Sequence, residues 1–75
     1  MKLSELKAGE SGLITALNEL SIDVRKKLMV MGILPNTLVT LIRRAPMGDP
    51  LQIEVRGVSM AVRESIAAAV EVEKA

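Results

Sequence analysis

The side chains able to carry chemistry in this chain form a narrow set. Its acids are Glu5, Glu10, Glu19, Asp23, Asp49, Glu54, Glu64, Glu71 and Glu73, and it has no His and no Cys. A metal site would therefore rest on carboxylates and carbonyls alone, a donor set that suits hard cations. Charged residues are mostly exposed, so these acids read as solvated faces of strands and helix ends, and no metal ligand or cofactor is assigned. Ser11, Ser21, Ser59 and Ser65 offer hydroxyls, but a nucleophile needs a positioned base and there is no His to supply one. No Gly-rich phosphate loop with a Lys is present either. The chain is read as a non-enzyme with no catalytic residue.

Binding chemistry narrows in the same way. Ten Lys and Arg against nine Asp and Glu leave a net charge of +1, too little to attract a phosphate backbone, so nucleic acid is not expected as a partner. With no Phe, Trp or Tyr, base stacking, aromatic grooves for proline-rich peptides and aromatic cages are all excluded. The start, Met1-Lys2-Leu3-Ser4-Glu5, lacks the apolar stretch of a secretory signal, so the mature chain is expected to begin there. The most apolar run, Leu28 to Leu34, is far short of the roughly 20 residues that cross a bilayer, and any membrane is reached only through a partner.

The elements that must position these residues follow from spacing. At 75 residues there is room for one core, and residues 1–75 form a single domain. Leu3 and Leu6 mark a helical turn, and Glu10 to Leu17 a strand in which Gly12 signals a bend or close approach. Ser21 is a helix N-cap, and the helix runs from about Ile22 to Met31, with Gly32 as its left-handed stop. Pro35 and Asn36 form a turn, Leu38 to Arg43 a strand, and Arg44 to Pro50 the longest loop. Leu51 to Arg56 and Val58 to Val62 alternate as a hairpin about Gly57, with Val58, Met60 and Val62 inward. A short helix within Arg63 to Ala68 and a closing strand from Val70 to Glu73 complete a mostly β chain. About five short strands, one main helix and short helical turns predict a small β-barrel, because closure removes exposed sheet edges.

These residues resemble the ferrous iron transport protein A (FeoA) family along nearly the whole chain. The most specific stretch is Ala45-Pro46-Met47-Gly48-Asp49-Pro50, against the family's Ala-Pro-Leu-Gly-Asp-Pro. Arg25, Leu28, Met31, Gly32, Pro35 and Asn36 sit at the spacing of the family's Arg, Leu, Leu, Gly, Pro and Gly, and Asn substitutes well for Gly in a left-handed turn. Gly57, Val62, Arg63, Val70 and Val72 resemble its last two strands. The resemblance implies an SH3-like barrel and a cytoplasmic accessory subunit of bacterial ferrous iron uptake. Its implied partner is a ferrous iron permease with a GTPase domain, of the ferrous iron transport protein B type. An iron carrier is disfavoured by the missing imidazole and thiolate. Two alternatives stay open: a metal- or ligand-sensing module of the kind found in iron-dependent repressors, and an activator that lends an Arg to the partner GTPase.

Candidate contact residues come from two places. On the helix Val24, Leu28 and Met31 form a core stripe, whereas Ile22 and Met29 fall on another side beside Arg25, either under loops or as an exposed patch. In the loop, Met47 is an apolar tip, and Arg44 with Arg43 is a strand-end cation able in principle to act as an arginine finger. Ile22, Arg25, Met29, Arg44 and Met47 are thus the candidate partner-binding residues. Gly32, Pro35, Asn36, Pro46, Gly48, Asp49, Pro50 and Gly57 are read as structural turn and loop positions.

Overall fold

In a computed structural model covering residues 1–75, alternating apolar residues do build the sheet expected of them. A 3-10 turn, Leu3–Glu5, precedes β1 (Ser11–Ala16), α1 (Ile22–Val30), β2 (Leu38–Arg44), β3 (Leu51–Val55), β4 (Val58–Val62), α2 (Glu64–Ala67) and β5 (Glu71–Lys74). All strand pairs are antiparallel, in the order β4-β3-β2-β1-β5. Ile14, Val39, Leu41, Leu51, Ile53, Val55, Val62 and Val72 point inward and meet Leu3, Leu6, Leu28 and Ile33 in one core. Gly12 fits where β1 crosses β5 closely, since a Cβ there would lie 3.1 Å from Val72.

Strand pairing does not close the barrel. The end strands β4 and β5 are not paired with each other; α2 links them, with Ala67 buried beneath it. The outer edge of β5 is instead covered by the chain start: Lys2 bridges to Glu71, and the Val72 amide donates to the Met1 carbonyl at 2.8 Å. Lys2 also pairs through its ammonium with Glu19 and Glu71.

Four details differ from the expectation. Met31 is 45% exposed, because α1 ends one residue earlier and Ile33 takes the core position. The ending is a Schellman motif, with Gly32 at φ 95°, its amide bonded to the Met29 carbonyl and the Ile33 amide to the Leu28 carbonyl. Arg56 is not a strand residue: it shares with Gly57 the tight turn joining Val55 to Val58, both at positive φ. Val58 is exposed at the tip of an end strand that has no neighbour beyond it. Finally, Arg44 belongs to β2, not to the loop.

Two predictions follow from this architecture. Arg56 occupies a left-handed position that costs a side chain roughly 1–2 kcal/mol and that Asn tolerates better. Arg56→Asn should raise the thermal midpoint by a few degrees and Arg56→Val should lower it, as read by circular dichroism.

The second concerns pH. Hydrogen bonding to Glu19, then Glu71, raises the Lys2 pKa above 10.5; Lys2 lowers that of Glu71; and Lys74, then the Lys7 amide, lowers that of Glu10. The carboxylate contribution is present above the ordinary value of 4.5 and is lost as pH falls through the lowered values. The Lys2 contribution is complete below 10.5 and is lost as pH rises through the raised value. The thermal midpoint should therefore be flat between these limits, and Lys2→Met should reduce the fall on both sides.

Candidate functional site

The contact residues proposed from sequence fall into two groups that the fold separates. Ile22, Arg25 and Met29 lie on α1, which residues 31–37 join to the start of β2 at Leu38; Arg44 is the last residue of β2 and Met47 lies in the loop after it. The two ends of β2, Leu38 and Arg44, are about 20 Å apart along the strand at ~3.3 Å per residue.

On α1, Ser21 caps the first turn by accepting a hydrogen bond from the Val24 amide at 3.3 Å. Leu28 is buried and Val24 packs half-buried against the core, so one stripe of the helix holds the fold. The opposite side stays in solvent. Ile22 is 63% exposed, Met29 41% and Val30 89%, and at about 100° per residue these three fall within one third of the helix circumference. Lys26 projects between them, and Lys27 borders Val30 and Met31 in a shallow apolar trough. Arg25 is half-buried, and its Nε is enclosed with no hydrogen-bond partner. The surface is thus apolar with a cationic margin, and the fold leaves it uncovered.

The other end is built for stability. The β2–β3 ladder shifts register between Leu41 and Arg43, and beyond the shift Arg44 faces Leu51 while Arg43 faces Gln52. Directly opposed residues share a sheet face. Leu51 is buried, so Arg44 turns inward, whereas Arg43 stays outside and donates to the Gln52 Oε1 at 3.1 Å. The Arg44 guanidinium donates to Glu64 at 2.9 Å and to the carbonyls of Ser4 and Leu6. A side chain engaged by three acceptors is a poor arginine finger, because leaving them breaks a charge-assisted bond to Glu64 and two bonds to part-buried carbonyls.

Asp49 joins the same knot: its Oδ1 accepts from the Glu64 amide at 3.0 Å and so caps α2. Pro46 and Gly48 shape a turn in which the Gly48 amide donates to the Ala45 carbonyl at 2.7 Å, and the Asp49-Pro50 bond is cis. Met47, at the tip, is 91% exposed. Pro35 and Asn36 occupy the turn closed by the Thr37 amide on the Leu34 carbonyl, with Asn36 at φ 67°. No group of three or more His, Cys, Asp or Glu side chains comes together in a way that could hold a metal ion.

Two of these roles were hidden from sequence. That Asp49 caps α2 is invisible because the helix lies fifteen residues on. That Arg44 turns inward depends on a register shift that alternation alone does not reveal.

Comparison with known proteins agrees with the architecture. The family model for the FeoA domain matches residues 1–74. The chain belongs to the FeoA family. Among solved FeoA structures, that from Chlorobium tepidum superposes with a TM-score of 0.93 at 34% identity, over 99% of this chain and 70% of that one. The FeoA of Stenotrophomonas maltophilia, complexed with zinc and described as a prokaryotic SH3 domain protein, gives 0.83 at 28%, over 97% and 89%. A Porphyromonas gingivalis protein, an Fe(2+) transport protein A/Fe(2+) transporter FeoB fusion, is 30% identical over 73 residues. That match takes in 97% of this chain but only 8% of the fusion's length. The family is thus linked to ferrous iron transport, and the expected SH3-like fold is the one found.

The two sides of α1 should respond differently to the same change. Leu28→Glu buries an unpaired carboxylate at a cost of several kcal/mol, comparable with the whole stability of so small a domain, and should unfold it. Met29→Glu puts the same group into solvent and should leave the thermal midpoint within a few degrees of the parent.

Proposed function

We propose that this FeoA-family chain is an accessory protein of ferrous iron uptake that acts by contact with a FeoB-type transporter and its cytoplasmic GTPase domain. The observation that carries the reading is the fusion: one homologous polypeptide holds a FeoA segment and a FeoB transporter together. A covalent link makes a second binding event intramolecular and raises its effective concentration, so fusion favours pairs that work in contact. A separate chain must supply that association from its own surface.

The face of α1 made by Ile22, Met29 and Val30 is the surface assigned to it. It offers aliphatic and thioether groups that adapt to a partner's contours, with Arg25, Lys26 and Lys27 at hand for acidic groups. Arg25, half-buried beside Met29 on the helix, adds a cation to the margin of this face. Met47 lies at the other end of β2 and is not part of this surface; Arg44 is committed to the knot it ties. No helix is long and apolar enough to cross a membrane, in keeping with a chain that works on the cytoplasmic side of the transporter.

The test is co-purification with the full-length transporter from detergent. Parent and Met47→Glu chains should be retained, and Met29→Glu and Val30→Glu should lose most of the association while remaining folded. Retention of both α1 variants at parental levels, with loss in Met47→Glu, would move the contact to the loop.

A further inference from the structure

The sheet has two end strands, and only one is protected. Residues 1–3 cover the outer edge of β5. Along β4 nothing does. Its partner on one side is β3, in a five-pair ladder without a bulge, and on the other side it has none. Val55 and Val58 close a two-residue turn with both φ positive, which makes them a hydrogen-bonded pair. Alternation along an antiparallel ladder then directs the amides and carbonyls of Val58, Met60 and Val62 to β3 and those of Ser59 and Ala61 outward. The outward groups have no backbone partner, and both residues are exposed. Natural edge strands are normally blunted by Lys, Pro, a bulge or a covering segment. Val58-Ser59-Met60-Ala61-Val62 has none of these.

We infer that the free edge of β4 receives an extended, acidic segment of the transporter as an added strand. Main-chain hydrogen bonds to Ser59 and Ala61 would supply affinity, and the flanking surface would select side chains. That surface is a hollow of about 380 Å³ lined by Arg43, Pro50, Gln52, Met60 and Ala61 among others, adjoined by a second hollow that Arg63 borders. Arg43 and Arg63 take part in none of the ion pairs of the fold; of the acids around them, Asp49 is occupied in capping α2, Glu64 is paired with Arg44, and Glu54 lies across from Ser59. Two cations without a carboxylate partner, Arg43 held toward the hollow by its bond to Gln52, beside apolar Pro50, Met60 and Ala61 fit a strand that alternates acidic and apolar residues. The inference rests on the accessory reading above and adds to it a second contact, distinct from α1.

Proline tests the edge directly. At position 61 it removes an outward amide and leaves the β3 ladder intact, a placement edge strands tolerate. Ala61→Pro should fold, with a thermal midpoint near the parent's, and bind the full-length FeoB-type transporter about tenfold more weakly, the scale of one lost hydrogen bond. Ala61→Glu, an exposed substitution that leaves the backbone unchanged, should weaken binding by charge repulsion and serves if the proline variant does not fold. In the parent complex, amide hydrogen exchange at Ser59 and Ala61 should slow about tenfold or more, a change that side-chain contact elsewhere would not produce. Parental binding by Ala61→Pro or by Ala61→Glu, or unchanged exchange at both amides, overturns the edge contact and leaves the accessory reading standing. Failure of the parent chain to bind the transporter overturns both. A dimer of the chain alone that Ala61→Pro abolishes would show that a second copy occupies the edge, and would also overturn the inference.

Discussion

One extra residue in β2 decides how the rest of this small fold is held. Simple alternation from Val39 and Leu41 would carry Arg43 inward and leave Arg44 in water. The register shift between Leu41 and Arg43 reverses that order and points the Arg44 guanidinium at the chain start and at α2. Asp49 fixes the other side of the same junction through the Glu64 amide. Because β4 and β5 do not pair, this polar knot and the buried Ala67 do the work that strand hydrogen bonds perform elsewhere in the sheet. With no aromatic side chain and no disulfide, a domain of this size has little apolar surface to spare, so satisfied polar groups at the seam matter in proportion.

Tying one end so firmly leaves the remaining surface free for contact. A net charge of +1 hides an uneven arrangement, with Arg25, Lys26 and Lys27 consecutive on α1 and Arg43 and Arg63 near the β4 edge. Ile22, Met29 and Val30 repeat on the outer side of α1 the apolar character that Val24 and Leu28 use on the inner one. A helix with two apolar sides in a domain with one core has one side left over. That remainder is the surface proposed above for contact with a partner.

Much of this was legible from residue order. The Ser21 cap, the Gly32 stop, the Pro35-Asn36 turn and the hairpin about Gly57 each rest on local chemistry that one or two residues decide. The errors share a different cause. Helical spacing predicts Met31 in the core, but the Schellman turn rotates the chain and gives that position to Ile33. Alternation predicts Val58 inward, but an end strand has no neighbour to cover its tip. Arg56 reads as a strand residue until the two-residue turn claims it. Arg44 and Asp49 depend on contacts with elements distant in sequence. Of the candidate contact residues, Ile22 and Met29 came from a conflict legible in sequence, since one helix had apolar residues on two sides. Only the fold could show that nothing covers the second.

The five methionines offer a direct measurement, because they are distributed over the competing surfaces: Met29 and Met31 on and just after α1, Met60 on β4, Met47 at the loop tip and Met1 at the chain start. Methyl-labelled methionine spectra of this 8.1 kDa chain, recorded with and without the full-length transporter in detergent, report on each separately. The account predicts that the Met29 resonance shifts or broadens on addition of the transporter while Met47 keeps its position and width. A Met47 resonance that responds while Met29 stays unchanged would contradict it.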